Sequence, residues 1–230
     1  VQILFMVRTS IVVNGGVLKA SGTQEYPIQF ASRTSNEKWN GLNFKGSRAL
    51  FDDEGNYEGG NIVKFASIQQ STSAFVLSDS ASVLIDSTSI FNCEYGITMQ
   101  SGSSMYFKNS SIEQCSFGVS IKNSANNVIR NCTINQCDIG IFFPSNNQSK
   151  YNRIFNNVIT NNTIIGIFFS IGQSSMQFNR VYGNTLNNND IGLYIGNGGL
   201  NDQGLNSFYN NIIKFNNIGV KLSQNSDTLK

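Results

Sequence analysis

Ile90-Phe91-Asn92-Cys93-Glu94-Tyr95-Gly96-Ile97, Ile112-Glu113-Gln114-Cys115-Ser116-Phe117-Gly118-Val119 and Ile134-Asn135-Gln136-Cys137-Asp138-Ile139-Gly140-Ile141 render one phrase three times, 22 residues apart. A fixed period this short has no room for two helices, and with Gly and Asn as punctuation it marks a solenoid whose turns stack on one another. Outward from these copies, the leading apolar residue recurs as Ile68, Ile90, Ile112, Ile134, Ile159, Leu186 and Ile213. A small residue follows it as Ala74, Gly96, Gly118, Gly140, Gly166, Gly192 and Gly219.

Two further patterns complete the turn. Behind the small residue, Ile97/Met99, Val119/Ile121, Ile141/Phe143, Ile167/Phe169, Leu193/Ile195 and Val220/Leu222 show the period-2 alternation of a strand with one face inside. Ahead of the landmark, Val63, Ile85, Phe107, Ile129, Ile154, Val181 and Phe208 form another inward column. Two residues beyond it, Asn109, Asn131, Asn156 and Asn210 align at a turn, where Asn tolerates the left-handed backbone and its amide is placed to bond the turns on either side as a ladder. Each turn therefore carries three short strands in 22–27 residues, with neighbouring turns about 4.8 Å apart as in any parallel sheet. No helix alternates with these strands, and the Leu-x-x-Leu-x-Leu phrase of a leucine-rich repeat is missing.

Composition narrows the chemistry. With 16 Lys and Arg against 14 Asp and Glu, the net charge of +2 provides no strong field for nucleic acid. No run approaches the roughly 20 apolar residues of a membrane helix. The chain has no histidine, so any catalysis would fall to carboxylates, Lys, Arg or Tyr, and no cofactor is expected. Val1 to Val7 is apolar but short, follows no basic segment and lacks an initiator Met; it reads as the middle of a longer protein. The ends of a solenoid need caps against edge pairing, so flanking domains or self-association through the ends are expected partners.

Near the start, Asn14-Gly15-Gly16-Val17-Leu18-Lys19-Ala20-Ser21-Gly22-Thr23, Pro27-Ile28-Gln29-Phe30 and Trp39-Asn40-Gly41-Leu42-Asn43-Phe44 resemble the opening of many secreted parallel β-helix proteins. The later phrase Asn-x-x-Ile-x-x-Asn/Cys-x-x-Gly-Ile, over most of residues 62–222, resembles the repeats of the pectate-lyase-like superfamily and of NosD-type periplasmic proteins. The resemblance implies an all-β, right-handed, single-stranded parallel β-helix in one domain over residues 1–230. Irregular turns are expected over 1–61, with an acidic, solvated loop at 46–60, and regular turns over 62–222. An extracellular, cell-surface or periplasmic location follows from the resemblance alone. The superfamily includes lyases, hydrolases, epimerases, adhesins and plain scaffolds, so the fold does not choose a function.

Stacking converts the repeat into outward columns. One holds Lys64, Asp86, Lys108, Arg130, Phe155, Tyr182 and Tyr209; beside it lie Tyr106, Val128, Arg153, Arg180 and Ser207. Arg153, Phe155, Arg180, Tyr182 and Tyr209 are candidate ligand-binding residues, because aromatic rings suit sugars and arginine suits carboxylated or sulfated ones. The plainer reading has the rings stacking on each other while Asp86 neutralises Lys64 and Lys108. Behind the glycine, Phe142, Phe168 and Tyr194 occupy the strand that forms the substrate cleft in the superfamily, which makes them candidates too.

Catalysis has thinner support. Glu94, Asp138 and Asp190 share a column at the edge of that strand, and acids on alternate turns would stand about 9–10 Å apart, near the upper end of the spacing used by inverting glycosidases. The superfamily's Gly-His-Gly and Asp-Pro-x-Asp-Gly signatures are absent. Asp52, Asp53, Glu54 and Glu58 are the candidate calcium ligands, but their spacing is not that of an EF-hand loop. Cys93, Cys115 and Cys137 share one column, continued by Thr163, Asn189 and Asn216, and read as small buried thiols rather than a metal site. The expected function is therefore a non-catalytic or degenerate β-helix domain, structural or binding a polysaccharide. The alternative is a polysaccharide lyase or glycoside hydrolase acting through the cleft carboxylates.

Overall fold

A computed structural model describes residues 1–52, 55–170, 176–196 and 206–223. The chain winds into a parallel β-solenoid with three sheets of nine, nine and eight strands. One turn shows the plan: Ser89–Phe91 lies in the first sheet, Tyr95–Met99 in the second and Ser104–Lys108 in the third, before Ser111–Glu113 returns to the first. The landmark column pairs in register through the first sheet, from Ile68 and Ile90 to Leu186 and Ile213. Two turns precede it, with Gln2–Phe5 pairing Ile28–Ser32 in the same sheet.

Alternation puts the branched and aromatic side chains inside. Ile97, Val119, Ile141 and Ile167 are fully buried, as are Phe107, Phe143 and Phe169; Phe143 and Phe169 stack with centroids 4.3 Å apart. The glycine column fits the corner between the first two sheets, where the backbone passes too close for a side chain. A Cβ on Gly140 would stand 2.5 Å from the Gly166 carbonyl oxygen and 2.9 Å from Ile159 Cγ2.

Asparagine joins the turns, though not quite where the turn column places it. Asn109, Asn131, Asn156 and Asn210 do take the left-handed backbone, with φ of 51–55°, but the continuous ladder belongs to the residue after each bend. In Cys132, Asn157, Asn184 and Asn211, each Asn Oδ1 accepts from the backbone N–H of the preceding member. The Nδ2 of Asn157 and of Asn184 donates to the next Oδ1 and back to a carbonyl of the preceding turn: Asn184 Nδ2 reaches Asn211 Oδ1 at 3.0 Å and the Ile154 oxygen at 2.9 Å. A second ladder, Asn127, Asn152, Asn179 and Asn206, runs before the third sheet. A third continues the cysteine column through Asn162, Asn189 and Asn216, so Asn162 rather than Thr163 follows Cys137.

Residues 46–60 also differ from the solvated loop expected. Ala49–Phe51 and Tyr57–Gly60 form an antiparallel hairpin that lies on the outer face of the third sheet. Ser82 Oγ accepts from the Ala49 N–H at 2.8 Å and donates to its carbonyl at 3.1 Å, and Phe51 stacks on Tyr106 at 4.2 Å. Leu84 points outward yet is only 3% exposed beneath it.

Removal of one ladder amide orphans donors in the preceding turn and a carbonyl before it. Asn184→Ala is expected to lower stability by about 2–4 kcal/mol, whereas Asn188→Gly, at an exposed left-handed bend with φ of 54°, stays within about 0.5 kcal/mol; urea denaturation of both variants checks the contrast.

Candidate functional site

The outer face of the third sheet is a grid set by strand registry. Successive turns present Ser82-Leu84-Asp86, Ser104-Tyr106-Lys108 and Val128-Arg130, then Arg153-Phe155 and Arg180-Tyr182. Asn126, Tyr151 and Phe178 extend the last rows by one column, through the paired Ala125, Lys150 and Gln177 beside them. Two successive rows thus read ring, arginine, ring: Tyr151-Arg153-Phe155 and Phe178-Arg180-Tyr182.

The rings stack along the solenoid axis. Phe155, Tyr182 and Tyr209 are nearly parallel, at centroid separations of 4.9 and 5.0 Å, and Tyr151 lies on Phe178 at 5.2 Å. Both parts of the plainer expectation are present: the rings stack on one another, and Asp86 bridges Lys64 at 3.8 Å and Lys108 at 3.6 Å. The face nevertheless stays open. Tyr151, Arg153, Phe178, Arg180 and Tyr209 are exposed, and neither arginine has an acidic partner among the described residues.

Between the hairpin and the first of these rows lies a hollow of about 540 Å³, bounded by Phe51 and Tyr106 on one side and by Tyr151, Arg153, Phe178 and Arg180 on the other. Its depth comes from the intervening turn, where Asn126 and the buried Val128 replace large side chains. Because Asn126 precedes Tyr151 in the column, the ring stack ends at Tyr151 and turns a free ring face to the hollow. Tyr151 and Phe178 hold this place at φ of 58° and 56°, a left-handed backbone that costs a bulky residue of order 1–3 kcal/mol. A larger depression of about 720 Å³ along the first sheet is lined by Ser67, Ser89, Ser111, Thr133, Asn109 and Asn131; it offers hydroxyls and amides but no charge.

On the second sheet, Phe142, Phe168 and Tyr194 stack at 5.4 and 4.8 Å, and a tilted contact at 5.5 Å joins Phe142 to Phe117, which stacks on Tyr95. Lys221 Nζ sits 5.0 Å from the Tyr194 centroid. These rings are half-buried and give their faces to one another. The two sets of candidates therefore occupy different faces of the solenoid, and Tyr151, Phe178 and Phe51 join the third-sheet set without having been singled out in the sequence.

The carboxylates converge on neither face. Glu94, Asp138 and Asp190 are exposed at the corner between the first and second sheets; Asp138 accepts from Thr163 Oγ1 at 2.8 Å and Asp190 from Asn217 Nδ2 at 2.8 Å. Asp52 accepts from the Asn56 backbone and side chain, Glu58 is exposed on the hairpin, and Asp53 and Glu54 lie outside the described residues. Among the described residues no three Cys, Asp or Glu side chains form a metal cluster, and no helix is long and apolar enough to cross a membrane.

All four cysteines are buried free thiols, with Cys132 in a different ladder from Cys137. Burial pushes the Cys132 thiol up to about 12. The hydrogen bond with Cys137, with burial adding, raises Cys115 to about 12. Cys93 is raised by its bond with Cys115 and by burial, and Cys137 is lowered by the same Cys115 thiol. For Cys132, which stands apart from that thiol column, the unfolded chain loses its proton from the ordinary value of 9.0 upward while the native state keeps it to about 12. Stability is therefore unaffected by this thiol below pH 9 and falls above it; urea midpoints at pH 8 and pH 10 are expected to show the drop, with a smaller one in Cys132→Ser.

Residues 55–208 match the family model described as a right handed beta helix region. None of the curated proteins compared with the chain matches it. Among solved structures, it is similar to the Dettilon tailspike protein at 14% identity and a TM-score of 0.52, over 86% of this chain and 52% of that one. It is also similar to the periplasmic alginate epimerase AlgG at 14% identity and a TM-score of 0.51, over 90% and 57% of the two chains. An alginate lyase from Paenibacillus sp. str. FPU-7 aligns at 15% identity and a TM-score of 0.49, over 96% and 92%. The chain thus spans little more than half the length of the tailspike and the epimerase.

Proposed function

The chain belongs to the right-handed β-helix family, and we propose that it is a non-catalytic member that binds an acidic polysaccharide on the outer face of its third sheet. The observation that carries this reading is the pair Arg153 and Arg180, free of acidic partners among the described residues and set between two ring stacks beside the hollow. A guanidinium gives a carboxylate or sulfate two parallel hydrogen bonds. Stacked rings turn their edges outward, and the edge is the positive part of the ring quadrupole, so this face favours an anion over a neutral sugar. The free face of Tyr151 is left for a pyranose ring.

The non-catalytic part of the reading is supported by placement: the column of Glu94, Asp138 and Asp190 sits at another corner, with Asp138 and Asp190 bonded to neighbouring turns. A ligand of this kind belongs outside the cytoplasm, at a cell surface or in a periplasm, and one similar fold is a periplasmic protein named for alginate. A second reading puts the polysaccharide on the second sheet, favoured by its run of ring contacts from Tyr95 to Tyr194.

Titration against alginate, pectate, sulfated glycosaminoglycans and neutral glucans tests both. Arg153→Ala and Arg180→Ala are each expected to weaken binding of the acidic polymers roughly 10- to 100-fold, and added salt weakens the wild type. Tyr151→Ala and Tyr182→Ala reduce binding while Phe168→Ala leaves it; the reverse pattern moves the ligand to the second sheet, and appearance of unsaturated or newly reducing ends overturns the non-catalytic assignment. Tyr151→Asn, which suits the left-handed position, is expected to change stability by less than about 1 kcal/mol while binding falls.

A further inference from the structure

On the reading that this face binds a polysaccharide, we infer that the site takes the end of the chain and not an interior stretch. The two ring stacks stand on either side of the arginine column, Tyr151 and Phe178 on one flank, Phe155, Tyr182 and Tyr209 on the other. They define a channel that runs along the solenoid axis, since each stack is built one ring per turn. A polymer between them advances about 4.8 Å per turn past Arg153 and Arg180 in succession.

Toward the later turns the channel runs past Arg180 and Tyr209, both exposed. Toward the earlier turns it is blind, because the hairpin lies directly across its line. Phe51 covers Tyr106 at 4.2 Å, and Gly55 comes so near that a Cβ there would stand 2.9 Å from the Tyr106 hydroxyl. Behind them, Ser82 is tied to Ala49 by two hydrogen bonds and Leu84 is sealed. A polymer that follows the arginines into the hollow meets this wall and must terminate there. The hairpin thus acts as a stop, and the hollow holds the last sugar of the chain against Tyr151.

The test is stoichiometry as a function of polymer length. Alginate and pectate, each as full-length polymer and as size-fractionated oligomers of known chain concentration, are titrated with the protein. End recognition predicts one protein bound per polymer chain at every length, and loss of binding when one terminus, reducing or non-reducing, is chemically capped. Capacity that grows in proportion to chain length overturns the inference while leaving polysaccharide binding in place; no binding to any polyuronate overturns both. Phe51→Ala, checked for an unchanged thermal melt, is expected to open the blind end and raise the number of proteins bound per long chain, and an unchanged count counts against the hairpin as the stop.

Discussion

A buried side-chain amide must be met at its oxygen and at both of its N–H groups, and this requirement shapes the later half of the solenoid. Unpaired, each such group costs about 1–3 kcal/mol, so one inward asparagine is a liability unless the turns above and below supply partners at the strand spacing. The three corner ladders do so. Asn152 accepts from Asn127 and donates to Asn179 and the Ser124 carbonyl, and the same arrangement repeats at the other corners. A turn here is not stable by itself; it borrows acceptors from one neighbour and lends them to the other, as expected where stability is a sum of nearest-neighbour terms.

The registry that satisfies the amides also organises the surface. Whatever stands at one position faces the same position a turn away, so rings meet rings and arginine meets arginine. On the third sheet rings flank the arginines within their own turns, while the Lys64, Asp86 and Lys108 group lies in earlier turns, where the acid bridges both lysines. Chemistry is concentrated in the turns with asparagine corners. The earlier turns, with Ser, Thr and Cys corners, contribute the hairpin that bounds the site from below.

Most of the architecture was legible in the residues because period-2 alternation and the Ile and Gly landmarks report directly on which side chains face inward. The ladder was misplaced by one position for a physical reason: Asn156-Asn157, Asn161-Asn162 and Asn210-Asn211 are pairs in which one residue takes the left-handed bend and the next points in, and nothing in the letters tells them apart. Tyr151 and Phe178 carry no such signal because they sit at bends, outside the strand alternation that identifies Arg153 and Phe155. The hairpin has no local signal because its anchors, Ser82 and Tyr106, come from turns that follow it by some 30 to 55 residues, and local composition shows only an acidic, glycine-rich stretch.

The change of corner residue between the third and fourth copies of the repeat has a bearing on misfolding. Copies with the same length and inward side chains invite a slip by one whole turn, since Ile90 would be nearly as well received beside Ile134 as beside Ile112. Such a slip cannot spread past Cys132 and Cys137. It would set an asparagine amide against a partner displaced by a turn, and it would have to absorb the step from 22-residue to longer turns. The boundary between thiol and amide corners works as an alignment key, fixing the count of turns that the repeated phrase by itself leaves ambiguous.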